Sequence, residues 1–136
     1  MAWCLFVASG LEFRMDEFLR ASPFHPKTKY YKGEIPPKDN PKKVPRPDSG
    51  FVVLVSHDEK GDDISAQRQD AYNFLHRHEG EIQRARIFGA DNFLLDFGIE
   101  LGQQMQTAVY LPPELIEVLS RFQMGLSFSA VQLGRG

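Results

Sequence analysis

The sequence predicts an α+β fold built on an antiparallel sheet. Residues 51–133 follow the order strand, helix, strand, strand, helix, strand, which is the split β-α-β or ferredoxin-like order. Residues 93–101 alternate apolar and other side chains, and this is the clearest strand pattern in the chain. An apolar stripe at helical spacing precedes the last strand. We therefore expect two helices on one face of the sheet, with an extra strand and a short helix before this unit.

The N-terminal elements are predicted from two apolar patterns. Residues 2–8 are apolar throughout and end at Ser9 and Gly10, as a half-buried or fully buried strand does. A short helix is then expected over residues 15–21, because three apolar residues follow helical spacing and acids occupy the first turn: Met15, Phe18 and Leu19.

A long basic loop is predicted at about residues 23–48. Seven of the nine prolines lie between Pro23 and Pro47, and each fixes φ and removes a backbone donor. Residues 30–35 interrupt the loop with aromatic side chains suited to a short edge strand or to packing across the sheet. A loop of this length is more often functional or mobile than idle.

The first half of the split unit contains strand two and a long helix. Residues 51–55 are continuously apolar, which is typical of a central strand buried on both faces. Asp62 or Asp63 is expected to cap the next helix, and Gly80 to break or bend it near its end. The buried face of this helix is predicted from its apolar positions: Ile64, Ala71, Leu75 and Ile82.

The second half begins with strand three, residues 92–101. A hairpin loop at residues 102–104 and an antiparallel strand four at residues 105–111 are expected to follow. Pro113 suits the first turn of a helix that ends before Gly125, and the last strand covers residues 126–133.

Length and composition indicate one soluble domain. The chain has 136 residues, 42% of them hydrophobic and 25% charged, within the usual range for a single globular domain. No apolar run approaches the roughly 20 residues of a membrane span, and the start of the chain lacks the positive charge of a signal peptide. A cytoplasmic protein without a membrane partner is expected.

The net charge of −2 conceals two regions of opposite sign. Residues 26–47 hold seven basic and two acidic side chains, whereas residues 48–136 hold seven basic and thirteen acidic ones. An acidic body is poorly suited to nucleic acid, whose phosphates require a basic surface. A basic protein is the better-matched partner.

The residues that usually carry chemistry do not form a recognisable motif. Cys4 is the single cysteine and fits a buried strand position, so neither a disulfide nor a zinc finger is expected. The four histidines lack chelating spacing, since His76 and His78 point to different sides of a helix. Phosphate-binding glycine loops and a serine nucleophile elbow are absent from the sequence. We expect no metal, no cofactor and no catalytic residue.

Two short segments are the candidate partner-binding surfaces. One combines aromatic and charged side chains outside regular structure, a composition typical of contact hot spots, and the other follows strand two. The candidates are Tyr30, Tyr31, Lys32 and Glu34 in the first segment and His57, Asp58 and Glu59 in the second. The alternative is that both tyrosines pack the loop onto the sheet.

Several short segments resemble a bacterial family of small single-domain proteins of unknown function. They are Ser9–Leu11, Tyr31–Glu34, Ser49–Phe51, Leu94–Gly98 and Tyr110–Leu115. Some proteins similar to this family are regarded as immunity proteins of toxin systems. The resemblance covers nearly the whole chain and implies no catalytic residue.

Two classes of function follow. The favoured one is a non-enzymatic binding module, most concretely an immunity-type inhibitor that blocks a basic toxin or effector. The alternative is a small-molecule-binding or enzymatic domain with a pocket between the sheet and the 23–48 loop, using Tyr30, Tyr31, Lys32 and His57. A homodimer formed through a sheet face or edge is a third possibility.

Overall fold

The computed structural model describes residues 1–35, 44–60, 64–101 and 109–132. These residues form five strands and four helices. In chain order the elements are β1 (Ala2–Gly10), α1 (Met15–Arg20), β2 (Thr28–Tyr30), β3 (Ser49–Asp58), α2 (Ser65–Arg77), α3 (Glu79–Ile87), β4 (Asn92–Leu101), α4 (Pro113–Arg121) and β5 (Gly125–Gln132).

The strands form one mixed sheet in the order β2-β3-β1-β4-β5. The N-terminal strand β1 lies in the middle and pairs antiparallel with both β3 and β4. The short strand β2 pairs antiparallel with β3, whereas β5 pairs parallel with β4. Among the described strands, β2 and β5 are therefore the two edges of the sheet.

The predicted α+β class is confirmed, but the sheet is mixed rather than antiparallel, because β5 runs parallel to β4. The ferredoxin-like order is not confirmed. Helices α2 and α3 connect β3 to β4 in the chain. These two strands are not neighbours in the sheet, because the N-terminal strand β1 lies between them. Residues 102–108, which include the expected hairpin loop and most of strand four, lie outside the described residues, and residues 109–111 form no strand.

The helices pack on one face of the sheet, as predicted. That face carries the alternate β1 residues Cys4, Phe6 and Ala8, each at most 1% exposed. At the centre of this face the Phe6 ring packs against rings from a helix and from a neighbouring strand. The centroid distances are 5.4 Å to Phe74 on α2 and 6.1 Å to Phe93 on β4. The core therefore lies between the sheet and the helices.

β3 is not buried on both faces as the apolar run predicted. Phe51 and Val53 face the core, but Leu54 is 46% exposed. The strand is second from the sheet edge, and helices cover one side of it. A run of apolar residues does not by itself specify two covered faces, since an uncovered face can also be apolar.

Two local predictions need adjustment. The edge strand β2 lies at Thr28–Tyr30, earlier than residues 30–35, because the chain turns at Gly33 with φ of 84°. The predicted break near Gly80 occurs at His78, which separates α2 from α3. The expected caps Asp62 and Asp63 lie outside the described residues.

Gln67 is an unusual member of the core. It lies on α2, is 1% exposed, and no hydrogen-bond partner reaches either end of its side-chain amide among the described residues. A buried amide without a partner costs about 1–3 kcal/mol. We expect Gln67→Met to raise the free energy of unfolding by about that amount in urea titrations. The same change at exposed Gln83 is the control, and equal effects at both positions would contradict the explanation.

His78 makes the stability of the fold depend on pH. Its ring packs against Phe24 and Phe74, at centroid distances of 5.0 and 4.7 Å. Burial lowers the pKa of His78, Arg77 lowers it further, and Glu81 opposes both. Because the unfolded state binds the proton more readily, stability falls as the pH drops through the unfolded pKa of about 6.5 and levels off below the folded pKa.

The measurement is the free energy of unfolding between about pH 8 and pH 5, for the wild-type protein and for His78→Phe. We expect the wild-type protein to lose more stability than the variant across this range. Equal losses would show that His78 is not responsible.

Candidate functional site

The face of the sheet opposite the helices carries a row of apolar side chains. β1 contributes Trp3, Leu5 and Val7, which are half-buried, and β3 contributes Leu54, which is 46% exposed. The described helices all pack on the other face. An apolar sheet face rimmed by polar groups is a common feature of interaction sites.

This helix-free face contains a shallow groove of about 360 Å³. Its centre is apolar, and charged or titratable side chains lie at its rim. The residues that line it are Met1, Trp3, Leu5, Lys27, Leu54, His57 and Glu100.

A β-bulge places His57 in this groove. The pairing of β3 with β1 shifts by one residue, so that Leu54 lies opposite Leu5 while His57 lies opposite Trp3. Side chains normally alternate between the two faces of a sheet, which would place Leu54 and His57 on opposite faces. The extra residue of the bulge brings both side chains to the same face. Ser56 consequently points to the helices, where its hydroxyl donates to Asp70 at 2.6 Å.

Gly98 creates the space for the indole of Trp3. The two residues are directly paired across β1 and β4, and a Cβ atom at position 98 would overlap with the indole ring. Glycine weakens a strand interior and often marks a position that another group approaches closely. The indole of Trp3 therefore lies over Gly98 of β4 and lines the groove.

The charges around the groove are predominantly negative on the β4 side. Glu100 lines the groove, and Asp96 lies four residues earlier in β4 on the same face, where it accepts a hydrogen bond from Ser127 at 2.8 Å. Lys27 lies on the opposite side, immediately before β2. The groove thus presents an apolar floor between Lys27 on one side and Glu100 on the other.

The two candidate tyrosines lie elsewhere and hold the loop against the body. Tyr30 stacks beneath the guanidinium of Arg46, 4.8 Å from its ring centroid. Burial raises the pKa of Tyr30, and a hydrogen bond with the Ser9 side chain partly offsets this. The Tyr31 hydroxyl donates to Asp16 on α1 at 2.9 Å, which raises the pKa of Tyr31.

Lys32 and Glu34 also make contacts within the fold. The Lys32 ammonium lies 3.5 Å from Glu12, and its backbone N–H donates to the Ser49 hydroxyl at 2.9 Å. Glu34 lies 3.8 Å from Arg46, and their backbones are also hydrogen-bonded. These observations favour the structural alternative for the first segment, although its exposed side chains remain accessible.

The second candidate segment lies at the other end of β3. Gly50 pairs with Tyr30, whereas His57 is seven residues further along the strand, roughly 23 Å away at about 3.3 Å per residue. Asp58 accepts a hydrogen bond from the Lys60 backbone, and Glu59 is exposed. The structure therefore does not bring Tyr30, Tyr31 and Lys32 into one pocket with His57.

Cys4 lacks the environment of a reactive thiol. Cys4 is fully buried, and burial raises the pKa of its thiol, followed by smaller effects of Asp96 and Asp70. A reactive cysteine instead needs a lowered pKa and access to solvent. Within residues 1–35, 44–60, 64–101 and 109–132, no group of three or more His, Cys, Asp or Glu side chains is placed to hold a metal ion.

Comparison of the chain with protein-family models, curated proteins and solved structures finds no match. None of the helices in the described ranges is both long and apolar enough to cross a membrane.

Six of the seven groove residues were not predicted as a site: Met1, Trp3, Leu5, Lys27, Leu54 and Glu100. The apolar pattern of residues 2–8 is equally compatible with either face being covered. Only the pairing of β4 with β1 shows that Trp3 lies on the same face as Asp96 and Glu100. Of the predicted candidates, His57 belongs to the groove.

Proposed function

We propose that this protein is a non-enzymatic binding module of the immunity type, which binds and blocks a basic toxin or effector through the groove on the helix-free face. The observation that carries the proposal is the uncovered apolar floor around Trp3, Leu5 and Leu54. Burying this floor against a partner would remove apolar surface from water, which is the main favourable contribution to protein association.

The composition of the groove supports a protein partner. Tryptophan is among the residues most enriched at energetic hot spots, where it fills a well-packed centre surrounded by polar groups. Trp3 lines the groove together with the polar residues Lys27, His57 and Glu100. A partner that inserts apolar side chains against the indole would bury the centre of the contact and leave the charges at its rim.

The charge of the surroundings favours a basic partner. Asp96 and Glu100 lie on the groove face of β4, and the exposed Glu59 follows the end of β3. Residues 48–136 as a whole carry six more acidic than basic side chains. Opposite charge on the partner would accelerate association and fix its orientation.

The resemblance to bacterial immunity proteins adds the most specific version of this proposal. A protein of that type works by occupying a toxin surface and requires no catalytic residue of its own. The buried thiol and the structural contacts of Tyr30 and Lys32 are compatible with such a role. The proposal places the protein in the cytoplasm, where a toxin that acts on cytoplasmic targets would have to be blocked.

A small-molecule ligand is the second candidate. The groove volume of about 360 Å³ lies at the lower end of the roughly 300–1,000 Å³ found for ligand pockets. Lys27 comes from the 23–48 segment and His57 from β3, but Tyr30, Tyr31 and Lys32 do not line this groove, so it differs from the pocket expected from the sequence. Its openness to solvent and its apolar floor favour a macromolecular partner.

Parallel affinity capture tests the proposal. Tagged wild-type protein, Leu54→Lys and Leu11→Lys are exposed to extract from the native host, since both leucines are about half exposed and the second lies outside the groove lining. We expect the wild-type and Leu11→Lys proteins to retain one basic protein in equimolar amount. Leu54→Lys places a cation in the groove and should lose it.

Retention of the same protein by Leu54→Lys would contradict the proposed surface. Capture of a metabolite in place of a protein, again lost in Leu54→Lys, would favour the second candidate. Each captured protein would then be purified and its affinity measured against all three variants.

A further inference from the structure

The outer edge of β5 is a long row of backbone groups. β5 pairs along its whole length with β4, from Leu94 opposite Gly125 to Leu101 opposite Gln132. No strand pairs with its other side in the part of the chain that the structure describes. Main-chain N–H and C=O groups of an edge strand offer a template on which another strand can pair.

The two edges of the sheet differ in how they discourage such pairing. β2 is three residues long, contains exposed Lys29 and follows Lys27, and both shortness and lysine are usual protections of an edge. β5 is eight residues long, and its sequence GLSFSAVQ contains neither a charged residue nor proline. The β5 edge therefore lacks the usual sequence protections against pairing.

The composition of β5 is suited to pairing with itself. Around a twofold axis, two antiparallel copies of one strand present complementary backbone groups to each other. A charge close to the twofold axis would then lie near its own copy and repel it, so an uncharged strand favours such a contact. Phe128 stacks on Phe97 at 5.6 Å but remains 46% exposed, which leaves apolar surface for a second copy to cover.

We propose that two copies of this protein pair antiparallel through β5, which joins their sheets into one continuous ten-stranded sheet. β3 lies three strands away from β5, roughly 14 Å at about 4.8 Å per strand. The groove that contains Leu54 and His57 consequently stays accessible in each copy. The dimer would present two grooves, and the pairing does not depend on what they bind.

Charge substitutions at Ser129 test the dimer. Ser129 is exposed and lies near the middle of β5, so antiparallel pairing brings its two copies close together. We expect Ser129→Lys alone and Ser129→Glu alone to raise the dimer Kd about fivefold at low salt, since like charges repel across paired strands. An equimolar mixture of the two variants should dimerise at least as well as the wild-type protein, because opposite charges then meet.

Analytical ultracentrifugation measures these constants, with Gln83→Lys as the control for an added charge on an exposed helix position. Leu54→Lys is a second control and should dimerise like the wild-type protein. A monomeric wild-type protein, unchanged dimerisation of both Ser129 variants, or no recovery in their mixture would overturn the proposal. Loss of the dimer in Leu54→Lys would also overturn it, because the groove face would then be the interface.

Discussion

Replacing Phe6 with alanine is expected to lower the free energy of unfolding by about 3–5 kcal/mol, the usual range for a buried phenylalanine. Phe6 is 1% exposed and lies on the central strand. Its ring contacts Phe24, Phe51, Phe74 and Phe93, with centroid distances between 5.4 and 6.2 Å. Removing it would leave a cavity that the sheet, the helices and the 23–35 segment all border. Urea unfolding followed by circular dichroism measures the change.

Two further variants serve as controls for the loss of stability in Phe6→Ala. Phe6→Leu retains much of the volume and should cost less than Phe6→Ala. Leu11→Ala removes a side chain that is 55% exposed and should change stability by no more than about 0.5 kcal/mol. If Phe6→Ala behaved like Leu11→Ala, the core would not be centred on this aromatic cluster.

Replacing Trp3 with alanine should produce the largest loss of partner binding. Removal of a tryptophan hot spot typically costs about 2 kcal/mol or more, which corresponds to roughly a 30-fold rise in Kd. The measurement is calorimetric titration of the captured partner into each variant. Tyr110→Ala is the matched control, because Tyr110 is 64% exposed and contacts Arg68 on the helical side of the sheet.

Gly98→Ala tests whether partner binding depends on where the Trp3 side chain lies, and not only on its being present. The added Cβ would overlap with the indole and push it away from β4 while leaving the side chain in the protein. We expect Gly98→Ala to weaken partner binding, with the circular dichroism spectrum of the folded protein retained. Full affinity in both Trp3→Ala and Gly98→Ala would exclude the groove as the binding surface.

Much of the fold could be predicted because most of its elements have local sequence signals. β4 alternates apolar and polar residues, and the helix after Pro113 has a clear apolar stripe. The strand order could not be predicted in the same way, because it depends on contacts between residues far apart in the chain. The insertion of β1 between β3 and β4 has no local signal, and the ferredoxin-like order was inferred from the sequence of elements alone.

The candidate site was harder to predict than the fold. Tyr30 and Tyr31 lie in a segment whose composition is typical of a contact surface. In the structure, however, Tyr30 stacks under Arg46 and Tyr31 donates a hydrogen bond to Asp16, and these contacts hold the loop against the body. His57 reaches the groove through a β-bulge, which shifts the alternation of faces along β3. Trp3 had the appearance of a core residue, because both faces of β1 are apolar.

The fluorescence of Trp3 provides the most direct test of the groove as the binding surface. Trp3 is the single tryptophan of the chain, so intrinsic emission reports on this one position. Titration with the captured partner, or with a variant of that partner free of tryptophan, should shift the emission to shorter wavelength and protect it from acrylamide quenching. Saturating binding with unchanged emission and unchanged quenching would contradict the account, because the indole would then remain in contact with solvent.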